Sequence, residues 1–315
     1  MMITFSLLVG LVALYFGAEW LVRGSASLAI RLGLTPLMVG LTVVAYGTST
    51  PELIVSSLAA QGGNGAVAIG NVVGSNIFNI CFILGVTALL CPMRVEFQLI
   101  RFDTPIMIGV AVLFSLLFLD FRIQLWEAMT FLVGIVAYTG FNVRLARRHA
   151  SEHVQQEFDE ALPRPKGRTW RDALLIGCAL VVLVAGSRLF IDGSVQLAKL
   201  LGVSDAIIGL TIVAAGTSLP ELASSLMAAF RKQPDIAIGN VVGSNIYNIL
   251  AIVGVSGVVR QPLDGQGVKL ADAWIMVGAS LLLLVITWTG LRLRRWEGAL
   301  LLGVYGAYLW YLWPA

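Results

Sequence analysis

Two glutamates stand in stretches otherwise too apolar to hold a charge. Glu52 closes Gly47-Thr48-Ser49-Thr50-Pro51-Glu52, and Glu221 closes Gly216-Thr217-Ser218-Leu219-Pro220-Glu221. A lone charge at the centre of a bilayer costs about 2.5–3.5 kcal/mol or more, so an ionisable group there marks a functional site by default. Ser49 and Thr48 precede Glu52 at helical spacing, so all three can share one face. Pro51 has no amide hydrogen and crowds the carbonyl of Gly47, freeing that oxygen; Pro220 does the same to Gly216. Each motif is followed by a second, Gly70-Asn71-Val72-Val73-Gly74-Ser75-Asn76-Ile77-Phe78-Asn79 and Gly239-Asn240-Val241-Val242-Gly243-Ser244-Asn245-Ile246-Tyr247-Asn248. Asn71, Ser75 and Asn79 form one helical stripe, and Asn240, Ser244 and Asn248 mirror it. Gly70, Gly74, Gly239 and Gly243 permit another helix to approach closely. The donors are hard oxygens without His or Cys, which disfavours zinc, copper and iron. Calcium takes about 6–8 oxygens in irregular geometry. One Ca²⁺ or two Na⁺ would neutralise the two glutamates. An empty, ionised site is costly in transit, which favours exchange of one ion set for the other.

Such residues need helices to hold them. The chain has 315 residues, 58% hydrophobic and 12% charged, against about 25% charged for a soluble domain. With a mean hydropathy of +0.87, it reads as a polytopic membrane protein. A net charge of +3 implies no nucleic-acid partner. Cys81, Cys91 and Cys178 have no ligand spacing and read as small packed hydrophobes. The two histidines, His149 and His153, fall in a central polar segment, so an intramembrane serine has no base and an enzyme is not expected. The stretch from Ile3 to Phe16 lacks a basic leader or a cleavage pattern and reads as a first spanning helix.

Spanning takes about 20 apolar residues. Ten runs qualify: 3–22, 36–59, 66–90, 103–119, 124–143, 173–191, 205–229, 235–258, 272–290 and 298–313. Trp20, Trp126, Trp170, Trp274, Trp288, Trp296, Trp310 and Trp313 fall near run ends as an aromatic belt. One set of loops is rich in Lys and Arg: Arg23 and Arg31, Arg94 and Arg101, the central segment, Arg231 and Lys232, and Arg292, Arg294 and Arg295. The alternate set holds Arg122, Arg188, Lys199, Arg260 and Lys269. The richer side is cytoplasmic by the positive-inside rule, which puts both termini outside. In the central segment, Glu152, Glu157, Asp159 and Glu160 read as part of a solvated linker.

The chain repeats at an offset of 169. Gly17 matches Gly186, Gly24 matches Gly193, Glu52 matches Glu221 and Asn79 matches Asn248. From Ile69 to Ile80, 11 of 12 residues match their mates. Five runs per copy is an odd number, so the second copy enters from the opposite side. The expectation is an all-α polytopic membrane protein of ten transmembrane helices in two inverted five-helix repeats with broken core helices. The repeats are 1–143 and 173–315, joined by a cytoplasmic linker at 144–172. Glu19 and Arg23 become Arg188 and Asp192 in the second copy, each pair spaced for a local ion pair. Polar stripes alone also serve as helix–helix glue; the duplicated glutamate and proline favour an ion site.

At the two duplicated motifs, Gly-Thr-Ser-x-Pro-Glu and Gly-Ser-Asn, the sequence resembles the cation/Ca²⁺ exchanger superfamily, most closely its prokaryotic Na⁺/Ca²⁺ exchanger branch. The likeness covers nearly the whole chain. It implies Glu52 and Glu221 as central ligands, with backbone carbonyls from Thr48 and Thr217. It implies Ser49, Ser75, Ser218 and Ser244 mainly for Na⁺, with the carbonyls of Ala45 and Ala214, and Asn79 next to the centre. Asn248 stands where several relatives, including K⁺-dependent exchangers, carry Asp. An amide adds no charge, which argues against K⁺ co-transport. Neither Asn71-to-Asn79 nor Asn240-to-Asn248 contains the extra acid typical of the H⁺-coupled branch, so Na⁺ coupling is preferred, with protons competing for the glutamates. The first and sixth helices resemble the family's long tilted pair. The reading is an alternating-access Na⁺/Ca²⁺ antiporter in a prokaryotic cell membrane. It has Ca²⁺, Na⁺ and lipid as partners, no cofactor, no obligate protein partner and a monomeric working state. A Ca²⁺/H⁺ antiporter and a cation channel are the rivals.

Overall fold

The computed structural model describes residues 2–32, 34–149, 169–201 and 214–312. In hydrocarbon a backbone must satisfy its own polar groups, which helices do internally. The described chain is accordingly almost all helix. In chain order the helices are α1 (Met2–Leu32), α2 (Pro36–Thr48), α3 (Thr50–Gln61), α4 (Gly65–Leu90), α5 (Leu99–Asp120) and α6 (Leu125–His149). They continue as α7 (Thr169–Leu200), the single turn α8 (Ala214–Gly216), α9 (Leu219–Phe230), α10 (Pro234–Val259), α11 (Leu270–Trp288) and α12 (Arg295–Leu312). Seven are long and apolar enough to cross a membrane, and α2 with α3, bent by 44° at their break, make an eighth if taken as one span. The protein is a multi-span membrane protein. Part of the seventh expected run, Trp313 and the acidic cluster Glu152, Glu157, Asp159 and Glu160 lie outside the described residues.

The chain forms two compact units that cut across the sequence repeat. The first comprises Met1–Thr48 and Val136–Asn240; the second comprises Ser49–Ile135 and Val241–Ala315.

In the first unit, α1 and α7 pack antiparallel along their length. Glycine notches allow it: a Cβ at Gly10 would lie 2.7 Å from Phe190 N, and one at Gly17 would lie 2.8 Å from the Leu183 side chain. Helix α1 continues to Leu32, well past the expected end at residue 22. Glu19 and Arg23, which break the apolar pattern, are satisfied within the fold. Glu19 pairs with Arg23 at 3.5 Å and also binds Arg231. Trp20 therefore lies inside a helix instead of at a run end. Arg31 pairs with Asp172 at 2.5 Å, tying the end of α1 to the start of α7. Cys178 on α7 is exposed, against the expectation of a packed hydrophobe.

In the second unit, α4 packs on α3, on the C-terminal part of α10, and on α11 and α12. Two short sheets cross the repeat. β1 (Met93–Arg94) and β2 (Arg122–Ile123) flank α5; β3 (Leu263–Asp264) and β4 (Arg292–Leu293) flank α11. β1 pairs with β4 and β2 with β3, both antiparallel. The loop before α5 thus lies with the loop after α11, and the loop after α5 with the loop before α11. Helix α11 runs opposite to its repeat mate α5, the inversion that the odd run count requires. Helices α4 and α10 are 78% and 94% buried over their most apolar stretches, against 33% and 28% for α1 and α7. The motifs Gly70–Asn79 and Gly239–Asn248 therefore sit on two closely enclosed helices.

Candidate ion-binding site

The helix break is local and repeated. Ser49 separates α2 from α3 with φ −81° and ψ 6°, and Ser218 precedes α9 with φ −90° and ψ 10°. Both occupy the sparsely populated bridge between the α and β regions. Pro51 and Pro220 fall in the first turn of the restarted helix. An amide hydrogen there has no intrahelical acceptor anyway, so proline costs nothing. The break thus lies two residues before the proline, and the proline starts a helix instead of kinking one. Glu52 and Glu221 consequently occupy the first turn of α3 and α9, at the positive end of each helix dipole. Both are 1% exposed.

In the first unit, Asn240 is a junction. Its Nδ2 reaches Ser224 Oγ and Ser225 Oγ at 3.0 Å each and the Glu221 carbonyl at 3.3 Å. Its Oδ1 lies 3.2 Å from Thr48 Oγ1, which also lies 3.1 Å from the Val44 carbonyl. The Gly216 carbonyl that Pro220 leaves open accepts from Ser187 Oγ at 2.9 Å. Of the expected ligands, this unit holds Ala45, Thr48, Thr217, Ser218 and Glu221, with Ala214 opening α8. Ala45, Thr48 and Ser218 are fully buried.

The second unit holds Ser49, Glu52, Ser75, Asn79, Ser244 and Asn248, all at 2% exposure or less. Asn71 Nδ2 donates to Ser56 Oγ at 2.9 Å, and Ser56 Oγ donates to the Ala68 carbonyl at 3.4 Å. Asn71 thereby ties α3 to α4, as Asn240, Ser225 and the Ala237 carbonyl tie α9 to α10. Further along, α4 widens to π geometry at Phe78–Ile83, and α10 does so at Asn248–Val253. Such wide turns recur at functional sites. Here four asparagines interlock. Asn79 Nδ2 donates to Asn245 Oδ1 at 3.1 Å, and Asn248 Nδ2 donates to Asn76 Oδ1 at 2.9 Å. Among the described residues, Ser75 Oγ, Asn79 Oδ1 and Asn248 Oδ1 are buried with no hydrogen-bond partner. A buried unpaired polar group costs about 1–3 kcal/mol, so three together amount to an invitation to a ligand. Neutral oxygens suit a hard cation.

The motif reading placed Asn79, Asn248, Ser75 and the glutamates on the buried faces they occupy. It missed Asn76 and Asn245, although their duplication at the repeat offset and their position one turn before Asn79 and Asn248 were visible. It also missed Ser187 and Ser225, for which no local pattern exists. Gly239 behaves as expected: a Cβ there would sit 2.8 Å from the Leu37 carbonyl. At Gly74 no described residue lies within 4 Å of such an atom.

The sodium/calcium exchanger protein family model matches residues 2–144 and 172–313. The chain is 36% identical over 339 residues to the sodium/calcium exchanger MaX1 of Methanosarcina acetivorans, covering 96% of each chain. It is 33% identical over 315 residues to the inner membrane protein YrbG of Escherichia coli, covering 98% of this chain and 97% of that one. Its fold matches that of the sodium-calcium exchanger NCX_Mj soaked with 2.5 mM Na⁺ and 0.1 mM Ca²⁺, with a TM-score of 0.84 and 29% identity over 100% of this chain and 99% of that one.

Proposed function

The chain belongs to the sodium/calcium exchanger protein family, and on that premise we propose that it is a secondary antiporter exchanging Na⁺ for Ca²⁺ by alternating access. One observation carries the reading: the buried oxygens of Ser75, Asn79 and Asn248 have hydrogen-bonding capacity and no partner among the described residues. Glu52 and Glu221 supply the charge. Thr48, Thr217, Ala45 and Ala214 supply backbone carbonyls. Ser49, Ser75, Ser218 and Ser244 supply hydroxyls, mainly to Na⁺. Asn79 and Asn248 supply neutral amide oxygens, which keep the site at the charge of one Ca²⁺ or two Na⁺.

The two repeats, 1–143 and 173–315, contribute matched halves. The chain works as a monomer in the cell membrane, with the basic loops in the cytoplasm and both termini outside. The grouping of Arg94 with Arg292 across β1–β4, and of Arg122 with Asp264 across β2–β3, supports this alternation of sides. Ca²⁺ and Na⁺ are cargo, and no cofactor takes part.

The test is uptake of ⁴⁵Ca²⁺ into proteoliposomes under separately imposed Na⁺, K⁺ and H⁺ gradients. Uptake driven by the Na⁺ gradient alone is expected. Drive by a pH gradient with no Na⁺ requirement would select proton coupling instead, and single-channel currents would overturn the carrier.

A further inference from the structure

The four-asparagine cluster has a direction. Asn76 Nδ2 faces two atoms that can only accept, the backbone carbonyl of Asn245 at 3.1 Å and Met276 Sδ at 3.5 Å. Asn245 Nδ2 faces the Asn76 carbonyl at 3.4 Å and Met107 Sδ at 3.7 Å. A backbone carbonyl cannot turn over, so each of these amides must point its nitrogen at the other's main chain. Its oxygen is thereby fixed at the opposite end. There it meets the next amide, Asn248 for Asn76 and Asn79 for Asn245. Only a nitrogen makes a bond in that position. Asn79 and Asn248 are therefore obliged to show their oxygens elsewhere, and both oxygens are buried and unpartnered among the described residues. All four side chains are 1% exposed, so water does not compete.

We infer that Asn76 and Asn245 are positioning residues that lock the amides of Asn79 and Asn248 oxygen-first toward the transported cation. The inference rests on the exchanger reading and deepens it. Without the lock, an amide can present either end, and a nitrogen turned toward a cation repels it. The lock also distinguishes amides from carboxylates at these positions. An ionised acid at 79 or 248 would set oxygen against the oxygen of Asn245 or Asn76. The thioethers of Met107 and Met276 complete the donor capacity of the two locks, so neither is left with an unmet hydrogen.

Equilibrium binding of ⁴⁵Ca²⁺ and of ²²Na⁺ to the purified full chain in detergent tests it by a double-mutant cycle. Asn76→Ala and Asn248→Ala are each expected to weaken cation binding by about 10-fold, the scale of lost ligand orientation. The double variant should bind no more weakly than Asn248→Ala alone, because Asn76 acts through that amide. Losses that multiply would overturn the inference, since a merely structural Asn76 would weaken binding independently. Wild-type protein that binds neither ion would overturn the exchanger reading and the lock with it. If Asn76→Ala is not recovered folded, the mirror cycle of Asn245→Ala with Asn79→Ala carries the same two outcomes.

Discussion

The two chain segments that precede the helix breaks are repeat mates, yet they are anchored by different means. At the end of α2, the Tyr46 hydroxyl lies 2.8 Å from Thr139 Oγ1 on α6. At α8, the mate of Tyr46 is Ala215, and the anchor is instead Ser187 on α7, which donates to the Gly216 carbonyl. The mate of Ser187 is Ala18, which offers no hydroxyl. One copy is held by its side chain, the other by its main chain. The same difference recurs a turn later, where Asn240 gains a bond to Ser224 and the mate of Ser224 is the exposed Val55. Duplication kept the groups that define the breaks and the oxygens, while the supports around them diverged. An inverted repeat need not be symmetric to place a symmetric set of buried oxygens.

Substitutions sharpen that contrast in descending order of effect. Glu52→Gln and Glu221→Gln should each reduce Na⁺-driven ⁴⁵Ca²⁺ uptake to background. Strongly unequal losses would mean that the asymmetry reaches the ligands themselves. Asn240→Ala removes the donor that Ser224, Ser225 and the Glu221 carbonyl share and an acceptor for Thr48, so it should cost about 2–4 kcal/mol. A thermal unfolding midpoint well below that of Asn71→Ala is the expected result, and equal midpoints would erase the difference between the halves. Ser187→Ala leaves the buried Gly216 carbonyl without its donor, for about 1–2 kcal/mol in the same assay. Tyr46→Phe removes one partly buried hydrogen bond and should cost about 0.5–1.5 kcal/mol. If Tyr46→Phe proves the more damaging of these two, the main-chain anchor is not the stronger one.

Much of this was legible in the chain. The offset of 169, the odd number of runs and the Pro-Glu pairs carried the inverted build and the buried carboxylates, because they are local patterns copied twice. The position of the break was displaced because proline was read as a disruptor within one helix, when the first turn of a second helix accommodates it at Pro51 and Pro220. Helix α1 was cut short because Glu19 and Arg23 lower hydropathy, and nothing near them in sequence reveals Arg231. The direction of the Asn79 and Asn248 amides was out of reach for the same reason. It is set by the carbonyls of Asn245 and Asn76, which lie far away along the chain. The compact units likewise join residues from both copies, so repeat boundaries and packing boundaries do not coincide.

The crossed strands have a consequence for biogenesis. Arg94 must wait for Arg292 before β1 can pair. At a synthesis rate of about 5–20 residues per second, that wait is on the order of 10–40 s. During that interval α4 and α5 are already made, while α11 and α12, against which they pack, are not. The faces of α4 and α5 that α11 and α12 will cover are thus left open through that interval, and they close only once α12 has followed β4 out of the ribosome.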